Sequence, residues 1–313
     1  MKRVYLISAV SCLLILFFAA FKAPQHLTVG SVTSTYKYIQ PLDMEKYDAC
    51  LGVGKGQKSS QSSFGSGSNN NTDVRDSSYC NSVLLLGTNQ KGTPLVEYAT
   101  QGAKIVLIPS IVAGFVVAFL GVLGGLIRCF EAPILDSAVQ LFAEVVGALP
   151  RMVVILVCAL ILPQDMRGLL PLAVLWAILA SPTAMDEAGA VAGRLGGARF
   201  VEALRAHGFG SFRIYLYHIV ALNLRPVVVR QGAEVMMQVV FLEVALSYLA
   251  VVESQPSFTH LDNLHSWADL LRMGYFSLIA DKADTLHALV LGLALITLIV
   301  VTASSVSKAA RAK

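Results

Sequence analysis

The sequence predicts an all-α membrane protein with six transmembrane helices, and three observations predict it. Hydrophobic residues make up 55% of the 313 positions, charged residues only 14%, and the mean hydropathy is +0.65; a soluble domain usually carries about 25% charged residues. Six apolar stretches approach or exceed the length of about 20 residues that a helix needs to cross the bilayer core. No series of alternating ten-residue segments marks a β-barrel. The net charge of +4 is too small to point to nucleic acid, and it is more informative read loop by loop.

The six stretches are Val4–Phe21, Ile105–Ile127, Val139–Leu162, Leu169–Met185, Val227–Val252 and Leu286–Val306. The first, with Lys2 and Arg3 before it, also fits a cleaved signal peptide. It is long for that role and Pro24 sits close to any cleavage point, so a retained span is the favoured reading. The fourth is the shortest and contains Pro171 and Pro182. Pro150 and Pro182 are expected to break or kink their helices, which is tolerated where neighbouring groups take up the freed carbonyls.

Short basic loops mark the cytoplasmic side. Lys2 and Arg3 precede the first span, Arg128 follows the second, Arg194, Arg199, Arg205, Arg213 and Arg225 follow the fourth, and Lys308, Arg311 and Lys313 follow the sixth. Acidic residues outnumber basic ones between spans five and six. Both termini are therefore expected in the cytoplasm. The chain divides into an N-terminal anchor helix (1–21), a long external segment (22–98) and a core of five transmembrane helices (99–313) with a cytoplasmic loop at 186–226.

The external segment contains a Ser-, Gly- and Asn-rich stretch from Ser59 to Asn71, which reads as a flexible loop. Cys50 and Cys80 flank it and could form a disulfide on an oxidising face; two unpaired thiols are the alternative. Cys12, Cys129 and Cys158 lie in or beside spans and read as packing residues. No Cys or His grouping has metal-site spacing.

Within span two, Gly114, Ala118, Gly121 and Gly125 fall on nearly one face, which allows close helix approach inside the bundle or against a partner. Glu144 and Arg151 in span three, and Arg230, Glu234 and Glu243 in span five, should face protein or a water-filled path, because a charge in hydrocarbon is costly. Arg230 and Glu234 are one turn apart and can pair. Glu243 lies nearer the outer end and is expected to be wet. Structural pairing is the plainer reading of these charges; a proton relay is the alternative.

In the cytoplasmic loop, Ala198–His207 has good helix formers and Gly208 suits the left-handed position that ends a helix. Phe200, Leu204 and His207 are expected on one side, with Arg199, Glu202 and Arg205 pointing elsewhere. The following Phe212–Ile219 is amphipathic and aromatic and leads to Pro226. Such a helix either lies in the headgroups or serves as a docking knob for a soluble partner.

Several of these residues carry a family resemblance. Glu202-Ala203, Gly208 six positions after the Glu, and His218-Ile219 resemble the EAA loop of ABC-transporter permeases. Leu86-Gly87-Thr88-Asn89 with Gly92 and Gly102-Ala103-Lys104 is similar to the segment ahead of span two in the C-type permeases of dipeptide, oligopeptide and nickel importers. Glu144 with Pro150 resembles that family's acidic residue before an FP-like pair. Leu242-Glu243, Ala245–Leu249, Pro256 and Ser266-Trp267 resemble its LE-to-SW segment. The landmarks occur in order over 86–306. Asn89 stands where the family has Asp, Thr93-Pro94 where it has Arg-Asp, Leu204 in place of the second Ala of EAA, and Val220-Ala221 in place of Leu-Pro. The external segment is longer than is usual for the family.

The resemblance implies the architecture of a type I ABC importer permease in a bacterial inner membrane. It implies a second homologous permease as partner, two cytoplasmic ATPases that bind ATP and Mg, an external solute-binding protein and surrounding lipid, with peptides or similar small solutes as cargo. It assigns ATPase coupling to Glu202, Ala203, Leu204, Arg205 and Gly208, with Glu202 against the ATPase and Gly208 at the turn. No GxxxxGK[ST] P-loop occurs in the chain, so no ATP hydrolysis by that route, and no cofactor, is expected of this subunit. Two other classes compete with the importer: a proton-coupled secondary transporter using Glu144, Glu234 or Glu243, which would favour inverted repeats that are not evident here, and a non-transporting membrane anchor of a complex.

Overall fold

A computed structural model describes residues 2–22, 39–44, 77–88, 92–129, 133–163, 168–197, 199–210, 213–252, 266–279 and 286–311. The helices are α1 (Lys2–Phe21), α2 (Ser77–Leu86), α3 (Leu95–Cys129), α4 (Pro133–Gly147), α5 (Arg151–Ile161), α6 (Leu169–Gly196), α7 (Arg199–Ala206), α8 (Arg225–Val252), α9 (Trp267–Ile279) and α10 (Leu286–Arg311). A π-helical segment, Ile214–Leu224, runs directly into α8. The described residues contain one isolated bridge, Thr88 to Pro94, and no longer strand.

The chain is a multi-pass, all-α membrane protein. Leu95–Ile127, Leu169–Gly196 and Leu286–Ala310 are each long and apolar enough to cross a membrane, and a bent pair, Ile134–Gly147 with Arg151–Ile161, raises the number to four. Within α1 the apolar part is the shorter Ile7–Phe21.

α3 is the central element. It packs along α6 on one side and α8 on another, while α10 joins α8, α9 and α1. Small residues decide the closeness of these contacts. A methyl group on Gly114 would meet the Gly232 carbonyl of α8 at 2.8 Å, and one on Gly124 would meet Met185 of α6 at 2.7 Å. Gly121 and Gly125 also face α6, at Ala184 and Ala188. The small-residue face of span two is thus used inside the bundle.

Three apolar cores follow. One lies between α3, α5, α6 and α8 around Trp176, Leu172, Val235 and Leu242. A second joins α1, α3, α8, α9 and α10 around Trp267, Leu107, Val240 and Ile299. A third, smaller core gathers Ala192, Val201, Ile214, Tyr215 and Ile219 at the end nearest α7. Lys308 lies 5.6 Å from the centre of the Tyr5 ring, so the start of α1 and the end of α10 share one end of the bundle.

The two expected proline breaks resolve differently. At Pro150 the helix is broken: α4 and α5 are bent by 79°, with Pro150 extended at φ −70°, ψ 104° as the residue before α5. Span three is therefore two helices and not one straight rod. At Pro182 the helix continues without a break. Proline cannot donate to the carbonyl four residues back, but the Ser181 hydroxyl donates to that same Ile178 carbonyl at 2.7 Å. The freed acceptor is satisfied, and α6 runs on to Gly196, well past the expected Met185.

Candidate functional site: the end of α7 and the charged crevice

α7 ends as its sequence predicts. The Gly208 N–H donates to the Arg205 carbonyl at 2.9 Å and the Phe209 N–H to the Leu204 carbonyl at 3.1 Å. Gly208 takes φ +81°. These two bonds and the positive φ make a Schellman motif, and the expected apolar contact between its flanking positions is supplied by Leu204 and Phe209, which both join the third core.

The buried side of α7 differs from the one expected. Val201 is fully buried and Leu204 half-buried, whereas Phe200 and His207 are exposed. Val201 and Leu204 are three apart and so share one face; the sequence pattern alone did not separate Val201 from Phe200. Glu202, Ala203 and Arg205 are exposed, as a docking surface requires. Arg205 also reaches back, its Nη2 donating to the Tyr215 hydroxyl at 2.8 Å.

The segment receiving α7 is a π-helix where an amphipathic helix over Phe212–Ile219 was expected; Phe212 itself lies outside the described residues. Ile214, Tyr215, Ile219 and Leu224 are its buried positions, a spacing near five that the wider π turn brings to one side. The Arg225 N–H bonds five residues back, to the Val220 carbonyl. Phe209 makes an edge contact with His218, centroids 6.1 Å apart, and Arg213 lies over Phe209 at 5.1 Å. α7 is thereby rooted in the chain that becomes α8 and, through Ala192 and Leu195, in the end of α6.

Above this loop stands a charged cluster. Arg230 pairs with Glu187 of α6 and, more loosely, with Glu234 one turn along α8 at 3.8 Å. The expected Arg230–Glu234 pair is present, but the partner that links two helices is Glu187, which the sequence reading missed. Glu187 and Arg230 are 43 residues apart, and nothing local connects them. Glu187, Ala190, Val191, Arg194, Pro226, Val227 and Arg230 line a cavity of about 420 Å³ between α6 and α8. Deeper in the bundle the same two helices are joined by Trp176 Nε1 donating to Gln238 Oε1 at 3.0 Å.

Two other expected site residues are placed differently. Glu144 is exposed on α4 among exposed Leu141 and Val145, and none of the described residues covers it. Glu243 is buried at 4% exposure, not wet. Neither carboxylate oxygen has a hydrogen bond of normal geometry, yet the carboxylate faces Ser266, the backbone of Ala268 and Asp269. It thus sits beside the N-terminus of α9. Asp269 closes that terminus, its Oδ2 accepting from the Ser266 N–H at 3.1 Å.

Other landmarks among the described residues meet at that end. Trp267 packs on Gly102, and its Nε1 donates to the Ala99 carbonyl at 2.9 Å. The Leu86-Gly87-Thr88 turn exchanges hydrogen bonds with Ile39, Thr88 N–H to Ile39 carbonyl and Ile39 N–H to Thr88 Oγ1, each at 3.0 Å. Cys80 is buried and disulfide-bonded, while its expected partner Cys50, and Asn89, lie outside the described residues. Cys12 and Cys158 are free and half-buried, as packing residues would be; the side chain of Cys129 lies outside those described. Among the described residues no group of His, Cys, Asp and Glu could hold a metal. No protein-family model and no curated protein matches this chain.

Proposed function

We propose that this chain is the permease subunit of an ATP-driven importer for peptides or similar small solutes, and that α7 is the element through which cytoplasmic ATPases move it. The observation that carries this reading is the two-sided attachment of α7. Glu202, Ala203 and Arg205 face solvent, while Val201 and Leu204 are seated in a core shared by the end of α6 and the π-helix that leads into α8. A push on the exposed side is therefore transmitted to two long helices at once. Coupling further requires that the two nucleotide states of the ATPases bind α7 differently.

In this reading six helices cross a bacterial inner membrane: α1, α3, the bent α4–α5 pair, α6, α8 and α10. Both termini lie in the cytoplasm, consistent with the basic residues at each end and with the Lys308–Tyr5 contact. A second permease covers the exposed α4–α5 face, where Glu144 would otherwise meet lipid at a cost. ATP and Mg are bound by the partner ATPases, and an external binding protein delivers the solute.

The test is purification of the full chain in mild detergent with identification of the co-purifying proteins by mass spectrometry. Recovery of an ATPase and a second permease from the wild type, with the ATPase lost from Glu202→Lys, is the expected result. A chain recovered alone, or an ATPase retained unchanged by Glu202→Lys, removes the coupling assignment.

A further inference from the structure

The start of α1 and the end of α10 bring together positive charge that the coupling role does not use. Lys2 and Arg3 open α1, and Lys308 and Arg311 lie in the last turns of α10. The Lys308 ammonium rests 5.6 Å from the centre of the Tyr5 ring, so residues far apart in sequence share one seam. Lys2 and Tyr5 are three apart on α1, and Lys308 and Arg311 three apart on α10, so each pair holds one helix face. The Tyr5–Lys308 contact brings those two faces side by side. No Asp or Glu occurs within either helix, and Lys308 has no ion pair or hydrogen bond among the described residues. The four cations repel one another, and neither helix supplies the anion that would offset them.

The surroundings select a lipid over a soluble anion. α10 is long and apolar enough to cross a bilayer, and it packs along α1. Val301 is 51% exposed and precedes Lys308 by seven residues, or two turns, so it lies on the same face. The edge of the seam is thus basic at its end and apolar and open further in. Acyl chains suit the apolar part; a free inorganic anion has no use for it. Tyr5 stands beside the cations, and a ring with a polar tip favours the headgroup level. Basic clusters between membrane helices on the cytoplasmic side hold anionic headgroups. Cations on two separate helices are matched by two phosphates better than by one.

We propose that the α1–α10 seam binds one diphosphatidylglycerol, an anionic phospholipid with two phosphates, which lie at the Lys2–Arg3 and Lys308–Arg311 ends while its acyl chains cover Val301. The inference needs the chain in a membrane and not the importer reading, and the two fail separately. Native mass spectrometry of the detergent-solubilised full-length chain would titrate diphosphatidylglycerol, phosphatidylglycerol and phosphatidylcholine. It would compare the wild type with Lys308→Gln/Arg311→Gln, with the charge-preserving Lys308→Arg/Arg311→Lys, and with Lys22→Gln beyond the opposite end of α1. Lys308 is exposed, so its replacement leaves the fold intact, and the ratio of lipids bound within one variant is independent of how much protein folds.

The wild type should retain one diphosphatidylglycerol at least about fivefold more tightly than phosphatidylglycerol, and should not retain phosphatidylcholine. Each cation near an anionic headgroup is worth about a fivefold change in binding. Lys308→Gln/Arg311→Gln should therefore weaken diphosphatidylglycerol by about 25-fold, with the charge-preserving variant and Lys22→Gln close to wild type. Binding unchanged in the double Gln variant, an equal loss in Lys22→Gln, a loss in the charge-preserving variant, or equal affinity for phosphatidylglycerol overturns the site. Displacement of the lipid by millimolar inorganic pyrophosphate would give the seam to a soluble anion and likewise overturns it.

Discussion

The indole of Trp267 lies directly on Gly102, with its Nε1 donating to the Ala99 carbonyl 168 residues away. This contact locks α9 to α3 at the end of the bundle where Glu243 is buried. A methyl group at position 102 would overlap the ring, and Trp267 is fully buried with no room to retreat. Gly102→Ala should therefore destabilise the chain by about 1–3 kcal/mol through overpacking, although alanine is the better helix former. Thermal unfolding in detergent measures this, and an unchanged or raised midpoint would contradict the contact.

Glu243 should tolerate amidation and reject a charge reversal. Glu243→Gln keeps the shape and an acceptor at the α9 N-terminus, so a loss near 1 kcal/mol is expected. Glu243→Lys places a cation against the positive end of a helix in a dry site, with an expected loss of about 3 kcal/mol or more. The same unfolding assay compares the two; similar midpoints would place Glu243 in water.

The Arg230–Glu187 pair should behave as an interhelical tie that can be inverted. Both side chains are partly exposed, so its contribution is modest, about 0.5–1 kcal/mol. Arg230→Glu leaves three carboxylates together and should cost more than the pair contributes. Adding Glu187→Arg should recover part of the loss. A double-mutant cycle with no coupling energy would show that the two side chains do not interact in solution.

Gly208 has open space where a side chain would go but a φ of +81°. The cost of Gly208→Ala is thus conformational only, about 1 kcal/mol, and Gly208→Asn should cost less. Amide exchange across Ala203–Phe209 should quicken by about fivefold in Gly208→Ala, as 1 kcal/mol implies at 25 °C. Unaltered exchange would mean that α7 does not end in the left-handed turn.

Much of this protein follows from composition and short-range pattern. Long apolar runs require helices, since in lipid the backbone must satisfy its own hydrogen bonds. The glycine after Arg205-Ala206-His207 specifies the end of α7, because caps are made by residues two to five positions apart. The break at Pro150 was readable for the same reason.

What the sequence by itself determined is the class of fold, the end of α7 at Gly208 and the outward placement of Glu202 and Arg205. Only the tertiary structure decided that Glu187 meets Arg230, that Glu243 is dry, and that Val201 and not Phe200 roots α7. The physical reason is range. Caps and helix breaks are local in the chain, whereas a charge's environment and a helix's buried face depend on which distant segment packs against it, and those segments are brought together by the close approach of α3, α6 and α8 at small residues such as Gly114, Gly124 and Gly232.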